Sequence, residues 1–377
     1  MAATDMTIPA PSRAGNITRR GGLILAALIL CGVVAVMVGA RYGLLLMIGL
    51  GFGITLEGFR FGFAGPWRAT ITKRDPGGTI AQLIAIAIVA MAAFPLLATH
   101  GAEMVGAHAP VGFAMIGGAF VFGAAMQVVM GCGSGTLVNS GSGNPISLMA
   151  LPFFAIGSFA GAYHLIWWTS LGSMPTVAFS GTSGLIGTLI ALAAVAAVLL
   201  WRAPPELRRV PRRLWIAAPL LAGLAILNLL VAGQPWGVVY GLGLWVAKGA
   251  AATGMDLTQS AFWGTEANIA RVGQSLLTDV TSLTNLGIIG GAFLVAAWRN
   301  GLSQKLPSYP PRAWIATIVA GFLLGYSSRL AFGCNVGAFF SGISTGSLHG
   351  WVWFAAAFAG AFIGIRLRPV LGLEAKS

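Results

Sequence analysis

The chain has 377 residues, of which 57% are hydrophobic and only 8% are charged. Soluble domains carry about 25% charged residues, so the composition excludes a soluble globular protein and predicts an all-α polytopic membrane protein. The formal net charge is +13, but the basic residues lie in short clusters between apolar runs, which is typical of cytoplasmic loops and argues against a nucleic-acid partner.

The N-terminus begins with a polar tail, residues 1–20, that ends in two arginines. The apolar run 21–40 follows it. A run of this length is long for the apolar region of a signal peptide and suits a membrane span, so we predict an uncleaved first helix. Cys31 lies in this run and is interpreted as a small core or lipid-facing residue.

Apolar runs along the rest of the chain predict further spans. Together they indicate about 9–11 spanning helices. The stretch 236–265 is interrupted by glycines and is left unassigned. The predicted spans are 21–40, 43–56, 79–98, 111–131, 147–168, 184–201, 214–232, 281–297, 313–331 and 348–366.

A basic, proline-containing linker, residues 202–213, divides the chain into two halves of similar length. We call residues 21–201 the first half and residues 214–368 the second half. Residues 369–377 form a C-terminal tail.

The two halves carry a repeated pattern. Residues 123–135 align with residues 325–337, so that a Gly-Cys pair falls at the same place in each copy. After one gap, a G-x-x-x-G motif at 157–161 matches one at 360–364. Such glycines let membrane helices approach closely, because lipid gives no hydrophobic drive for helix association.

The charges of two loops predict how the copies are oriented. Loop 99–110, before the first copy, has no Lys or Arg, whereas loop 298–312, before the second, has three. By the positive-inside rule the first copy starts outside and the second inside. We therefore predict pseudo-two-fold inverted repeats that meet near the midplane of a bacterial-type inner membrane, with both termini cytoplasmic.

Two segments are rich in Gly, Ser and Asn within otherwise apolar sequence. These Gly-Cys segments are 131–146 (GCGSGTLVNSGSGNPI) and 333–348 (GCNVGAFFSGISTGSL). We predict non-helical loops that line a wet cavity, since such backbone survives at membrane depth only when it is buried or solvated. Free N–H groups and a following helix start would suit a small anion. The candidate pathway residues are Gly131, Cys132, Gly133, Ser134, Gly333, Cys334, Asn335 and Gly337.

The two repeated cysteines allow two interpretations. A free cysteine is often only a small buried hydrophobe. Alternatively, Cys132 and Cys334 face a central pathway, where a soft S–H donor contacts a sulfur-bearing solute.

The longest motif resembles a known family. The run from Gly333 to Trp351, GCNVGAFFSGISTGSLHGW, closely resembles the C-terminal signature of the YeeE/YedE sulfur-transport family, and MGCGSGTL from Met130 resembles its N-terminal counterpart. With Gly264-Thr-Glu266, the resemblance spans about residues 43–368.

The resemblance implies an hourglass-shaped protein with short non-spanning helices beside the spans, which takes up thiosulfate or a related sulfur compound. It also implies that Cys132 and Cys334 pass the solute along by transient S–H···S contacts. The family usually has a further cysteine in an Arg-Phe-Cys-like motif, but here Arg60-Phe61-Gly62 stands there, followed by Trp67-Arg68. Gly62 therefore replaces an expected thiol.

Other polar residues have competing interpretations. Glu57 near Arg60 is either a functional intramembrane pair or a pair at the interface. Arg60 and Arg68 either attract an anion or mark the inner face. Helix capping or mutual pairing is favoured for Glu266, Arg271 and Asp279. The histidines have no Cys, Asp or His neighbours at the spacing of metal ligands, so no metal site is predicted. The sequence also indicates neither a cofactor nor an ATP-binding motif.

The sequence therefore predicts a permease, not an enzyme, for a small sulfur-containing anion, with Gly-lined passage past pore cysteines. The alternative is a membrane thiol enzyme or sulfur-relay partner that forms a cysteine persulfide. The predicted partners are the anion and the lipid bilayer, with a cytoplasmic sulfur-acceptor protein as a further candidate.

Overall fold

The computed structural model describes residues 13–300, 302 and 309–373, and this part of the chain contains helices and no strand. The α-helices are α1 (Arg13–Val38), α2 (Ala40–Gly58), α3 (Ala64–Lys73), α4 (Gly77–Thr99), α5 (Phe113–Val129), α6 (Gly133–Gly141), α7 (Pro145–Tyr163), α8 (Leu165–Thr169), α9 (Gly181–Arg202), α10 (Arg212–Ala232), α11 (Val239–Ala252), α12 (Glu266–Gly273), α13 (Val280–Trp298), α14 (Pro311–Leu330), α15 (Ser341–Ser344) and α16 (Leu348–Leu371). A π-helix, Asn335–Phe340, lies between α14 and α15.

Ten segments within the described residues are long and apolar enough to cross a membrane. Each corresponds to one predicted span: 79–98 is α4, for example, and 184–201 is α9. The chain is therefore an all-α multi-pass membrane protein, as predicted.

The unassigned stretch 236–265 contains α11 and a loop, and α12 follows it. A span needs about 20 apolar residues, and α11 has 14 residues while α12 has 8. Both are too short to cross a bilayer, and so are α3 and α6, with 10 and 9 residues. They are the short non-spanning helices that the family resemblance implies.

The two halves interlock. The main helix contacts pair α2 with α13, α4 with α10, α5 with α16, α7 with α14 and α5 with α14, so each pair takes one helix from each half. Exchanging α2 with α10, α4 with α13, α5 with α14 and α7 with α16 reproduces the same set of pairs. The repeat in sequence is therefore a pseudo-two-fold repeat in the fold, and neither half has a core of its own.

The repeated G-x-x-x-G motifs lie at these interfaces. A Cβ atom at Gly161 would lie 2.6 Å from the carbonyl oxygen of Tyr326, which is on α14. A Cβ at Gly364 would lie 2.9 Å from Cβ of Gln127 on α5. Contacts this short show that both glycines allow the backbones of the paired helices to meet.

The ends of the chain differ from the prediction where the structure describes them. Helix α1 begins at Arg13, within the tail predicted as 1–20, and residues 1–12 lie outside the described residues. Helix α16 continues past 368 to Leu371, because the buried Arg368 donates hydrogen bonds to the carbonyl oxygens of Gln127, Val128 and Leu373. These bonds hold the last turn inside the protein.

Two further stretches of predicted loop and tail are not described. Residues 303–308, in the basic loop 298–312, lie outside the described residues, and so do residues 374–377 of the C-terminal tail.

Candidate functional site

The backbone turns in the same way at the start of both Gly-Cys segments. Met130 directly follows helix α5, and Phe332 lies two residues after the end of helix α14. Both residues are left-handed, with φ of 56° and 55°. Each is followed by glycine and then cysteine. The cysteine is the N-cap of the next helix, α6 in the first half and the π-helix in the second.

The prediction of non-helical loops over 131–146 and 333–348 is wrong for most of their length. Helix α6 fills the centre of the first segment, and the π-helix and α15 fill the second. Gly and Ser have low helix propensity, but capping and burial outweigh it. Only the residues around each Gly-Cys pair and the turns at 142–144 and 345–347 leave the helical conformation.

Cys132 is fully buried and organises the first turn of α6. Its Sγ accepts a hydrogen bond from the Gly135 backbone N–H at 3.4 Å and lies 3.4 Å from the Ser134 hydroxyl. Its carbonyl oxygen accepts from the backbone N–H and the hydroxyl of Thr136, both at 2.8 Å. The thiol is therefore fixed in position by its own segment.

Cys334 has the same backbone arrangement, with its carbonyl oxygen accepting from the Ala338 N–H at 2.8 Å. It is also fully buried. Its sulfur contacts the other half of the chain, because a Cβ atom added at Gly133 would lie 2.7 Å from Cys334 Sγ. The two Gly-Cys segments therefore meet, which the sequence could not establish.

The glycine before each cysteine is required by close packing. A Cβ at Gly131 would lie 3.0 Å from the backbone nitrogen of Thr136, and a Cβ at Gly333 would lie 2.7 Å from that of Ala338. Gly333 also has φ of 151°, which disfavours any side chain. Its carbonyl oxygen accepts a hydrogen bond from the Trp353 indole at 3.1 Å.

A cavity of about 330 Å³ lies on the α6 side of the meeting point, and we call it the Cys132 cavity. It is lined by three of the candidate pathway residues, together with the predicted Arg60 and Gly62. Its lining includes Glu57, Arg60, Gly62, Gly131, Cys132 and Ser134.

Gly62 lies on the wall of the Cys132 cavity, and a Cβ atom there would meet nothing within 4 Å. Its carbonyl oxygen accepts a hydrogen bond from Gln82 on α4 at 2.8 Å. The second half repeats this arrangement: Asn285 on α13 donates to the carbonyl oxygen of Val238 at 2.9 Å, and the adjacent Gly237 is equally open. The two hydrogen bonds make Val238 the counterpart of Gly62, and the open Gly237 directly precedes Val238.

A second cavity, of about 370 Å³, lies beside the other cysteine, and we call it the Cys334 cavity. The linings of the two cavities share no residue. The lining of the second includes His108, Gly237, Tyr240, Arg329, Cys334 and His349, together with the predicted Gly333 and Gly337. Cys132 and Cys334 thus each line a cavity of their own, and Gly133, next to Cys132, packs against Cys334.

Asn335 lies in neither lining. Its side chain is fully buried, and neither its amide nitrogen nor its amide oxygen has a hydrogen-bond partner. Because it follows Cys334 directly, this unpaired amide is next to the constriction between the cavities.

Arg60 and Arg68 are placed at the Cys132 cavity or near it. Arg60 is exposed and lines the cavity together with the half-buried Glu57. Arg68 donates a hydrogen bond to the sulfur of Met130 at 3.6 Å, and Met130 lines the same cavity. This cavity therefore carries charges of both signs.

Asp279 has the structural role that the sequence favours for it, since its carboxylate accepts from the Ser282 N–H at 2.7 Å and so caps α13. Arg271 lies over the ring of Tyr240, with its guanidinium carbon 5.3 Å from the centroid.

Cys31 is buried between α1 and α2 beside Leu45 and is a free thiol, like the other two cysteines. In the described part of the chain, no group of three His, Cys, Asp or Glu side chains could hold a metal ion.

Three residues of the Cys334 cavity were missed as candidates: Arg329, His108 and His349. A signal for Arg329 exists, because an ionisable residue inside an apolar span is a functional candidate by default. The two histidines have no comparable signal, since their proximity depends on the fold.

A family model described as Sulphur transport matches residues 59–363. Two relatives named "Probable transporter YedE" align over shorter stretches. The one from Escherichia coli K12 is 38% identical over 104 residues, covering 27% of this chain and 26% of the relative. The one from Salmonella typhimurium is 30% identical over 169 residues, covering 44% and 41%. The chain thus spans about a quarter and two fifths of these two relatives.

A third relative aligns along most of its length. It is named "Thiosulfate transporter TsuA", comes from Spirochaeta thermophila and is 26% identical over 343 residues. The alignment covers 81% of this chain and 93% of the relative.

Proposed function

The chain belongs to the sulphur transport family, and we propose that it is an inner-membrane permease for a small sulfur-containing anion, thiosulfate or a related compound. The observation that carries the proposal is the position of the two thiols. Cys132 and Cys334 each line a separate cavity, and the two Gly-Cys segments touch between them.

The constriction suits transfer of a sulfur solute by weak contacts. A thiol is a weak S–H donor and a weak acceptor, so a terminal sulfur atom can move from one thiol to the next without a strong bond holding it. No covalent bond forms or breaks in this scheme. On the Cys334 side, the open position at Gly337 leaves room for the anion along the backbone.

Charge and loop contacts support an orientation for the permease. Arg299 directly follows α13, and Gly58 is the last residue of α2. Arg299 donates a hydrogen bond to the carbonyl oxygen of Gly58 at 2.7 Å, so the basic loops that follow these two helices lie at the same end. By the positive-inside rule this end is cytoplasmic. The Cys132 cavity with Arg60 is then the cytoplasmic mouth, and both termini are cytoplasmic. A sulfur-acceptor protein would dock at this end.

The other end is assigned by a separate set of contacts. The Val105 N–H donates to the carbonyl oxygen of Gly233 at 3.0 Å, and the Ala107 N–H donates to the Thr345 hydroxyl at 3.0 Å. These loops contain few Lys or Arg residues. One of them contributes His108 to the lining of the Cys334 cavity. In this proposal the Cys334 cavity opens to the outer face.

Gly62 changes the number of thiol steps but leaves room for the solute. Its position on the wall of the Cys132 cavity is open, so the missing thiol widens the cytoplasmic side. We therefore propose a pathway with two thiols, Cys132 and Cys334.

The test is uptake of radiolabelled thiosulfate into proteoliposomes. Cys132→Ala and Cys334→Ala should each lower uptake at least tenfold, whereas the matched control Cys31→Ala, whose thiol lies between α1 and α2, should transport like the wild type. Undiminished uptake by both pathway variants would refute the thiol steps. Failure of the wild type to take up any sulfur oxyanion would refute the substrate class.

The same preparation tests the enzyme alternative. A persulfide trapped on either cysteine during turnover would mean that a sulfur–sulfur bond forms, and it would contradict passage by weak contacts.

A further inference from the structure

We propose that Arg329 and His349 form an oxyanion-binding site in the Cys334 cavity, where they hold the oxygen end of the solute while its sulfur end faces Cys334. This inference rests on the proposed function and assigns the binding residues that it leaves open.

The cavity has room for such an anion. Its volume is about 370 Å³, and a water molecule occupies about 30 Å³ of liquid. A five-atom anion such as thiosulfate therefore fits with several water molecules around it.

Arg329 carries a positive charge that nothing in the cavity lining neutralises. Among the described residues that line the cavity there is no Asp or Glu. The guanidinium carbon lies 4.7 Å from the ring centroid of Phe262 and 5.8 Å from that of Tyr240. Aromatic faces orient a cation without cancelling its charge, so the guanidinium is held in place.

The Nε atom of Arg329 is buried and has no hydrogen-bond partner. An unsatisfied buried donor costs about 1–3 kcal/mol, and more when the group is charged. A carboxylate or other oxyanion in the cavity would remove that cost, and guanidinium groups bind oxyanions with two parallel N–H bonds.

His349 supplies a second unpartnered atom on the same cavity. The residue is 1% exposed, and its Nδ1 lies 2.7 Å from the Ser347 hydroxyl. Its Nε2 has no partner. When the Ser347 hydroxyl donates to Nδ1, Nε2 carries the proton and becomes a donor.

His108 lies on the same cavity but is already engaged, since its Nε2 is 2.8 Å from the carbonyl oxygen of Thr345. A carbonyl oxygen only accepts, so the proton is on Nε2 of His108. This residue therefore fixes the loop at the rim, and the free donors of the site are those of Arg329 and His349.

The first half has no such site. The residue that aligns with Arg329 is Gln127, whose amide nitrogen donates to the carbonyl oxygen of Ala64 at 3.0 Å. The Cys132 cavity instead contains the carboxylate Glu57 beside Arg60. Oxyanion binding is thus assigned to the Cys334 side alone.

The test measures the KM for thiosulfate uptake in proteoliposomes and the thermal stabilisation of the purified protein by sodium thiosulfate. Arg329→Gln, which copies the residue of the first half, should raise KM about 10- to 100-fold, because hydrogen bonds to charged groups contribute about 1.5–3 kcal/mol. It should also abolish the stabilisation. Arg329→Lys should recover part of both, and His349→Ala should raise KM about tenfold.

Arg366→Gln is the matched control, because Arg366 is exposed on α16 and lies outside both cavity linings. It should leave KM unchanged. If Arg329→Gln does not fold, as judged by size-exclusion chromatography, Arg329→Lys and His349→Ala carry the test.

The two proposals fail in different ways. Wild-type uptake with an unchanged KM and full stabilisation in the Arg329 and His349 variants would overturn the binding site and leave the permease standing. Stabilisation by thiosulfate that depends on Arg329, with no uptake by the wild type, would support the site and overturn the proposed function.

Discussion

The two Gly-Cys segments are nearly the same in backbone and differ in charge. In both, a left-handed residue, a glycine and a capping cysteine lead into a short helix, and the cysteine carbonyl accepts a 2.8 Å hydrogen bond from the residue four positions later. The cavity beside Cys334 contains Arg329 with no carboxylate among the described lining residues, whereas the cavity beside Cys132 contains Glu57 and Arg60.

The difference shows what the repeat provides and what each half adds. The repeated backbone builds the constriction, since Gly133 must lack a side chain to accept the sulfur of Cys334. In the proposed mechanism, the unrepeated charges would give the two sides unequal affinity for an anion. Tight binding at the Cys334 cavity and weaker binding at the Cys132 cavity would favour capture on one side and release on the other.

The largest effect is expected where helices of the two halves pack together. Substitutions there test whether the interface of α7 with α14 and the interface of α5 with α16 are equivalent. A Cβ at Gly325 would lie 2.6 Å from the backbone nitrogen of Ser158, and one at Gly123 would lie 2.7 Å from the carbonyl carbon of Ala357. Gly325→Val and Gly123→Val should each destabilise the protein by about 3 kcal/mol or prevent folding, because packed backbones cannot move apart cheaply.

Thermal unfolding in detergent measures this loss. Gly117→Val is the control, since Gly117 is exposed on α5 and a Cβ there meets nothing within 4 Å. If only one of the two interface variants were destabilised, the pseudo-two-fold description of the fold would be broken.

The next effect is at the constriction itself. Gly133→Ala would place a methyl group 2.7 Å from Cys334 Sγ, while Gly337→Ala would meet nothing within 4 Å. Overpacking costs about 1–3 kcal/mol, so Gly133→Ala should lower thiosulfate uptake about tenfold or more. Equal uptake by the two variants, compared at matched protein levels in proteoliposomes, would mean that the two segments do not meet during transport.

The charge difference between the cavities should have a smaller effect. Glu57→Gln removes the carboxylate from the Cys132 cavity. The substitution removes the repulsion between this carboxylate and a nearby anion, which is about 1 kcal/mol. Thiosulfate should therefore bind about fivefold more tightly from the cytoplasmic side. Inhibition of uptake by thiosulfate inside the vesicles measures this affinity.

Glu206→Gln is the control for this charge, because Glu206 is exposed in the linker between α9 and α10. Inhibition that changes equally in both variants would show that the carboxylate in the cavity has no special influence on the anion.

The smallest effect is expected at Gly62. Since its Cβ position is open, Gly62→Cys should fold like the wild type and change uptake less than about twofold, as surface substitutions usually cost under 0.5 kcal/mol. Gly131→Ala makes a useful contrast, since its Cβ would lie 2.9 Å from the Thr136 hydroxyl. Misfolding of Gly62→Cys, seen by size-exclusion chromatography, would contradict the open wall of the Cys132 cavity.

The spans could be predicted from the sequence because charge-free apolar runs have few alternatives in a membrane. The helical character of α6 could not, because its Gly and Ser residues disfavour helices and the Cys132 cap is a property of the folded turn. The contact of Gly133 with Cys334 was also hidden, since it joins two distant segments of the chain.

Arg329 shows a different limit. It lies on α14, whose own apolar residues are spread over all faces of the helix. The sequence of α14 therefore has no periodicity that would indicate which face meets a cavity. Its role depends on Phe262 and Tyr240, which come from the stretch that the sequence left unassigned.

The central claim is that two cavities open to opposite faces and are closed from each other between the cysteines. Gly62→Cys and Gly237→Cys place new thiols at open positions, one on each cavity wall. Each variant is treated with a membrane-impermeant maleimide in right-side-out and inside-out vesicles, with the wild type as baseline. We expect Gly62→Cys to react only from the cytoplasmic face and Gly237→Cys only from the outer face. Labelling of both from the same face, or of either from both faces, would contradict the account.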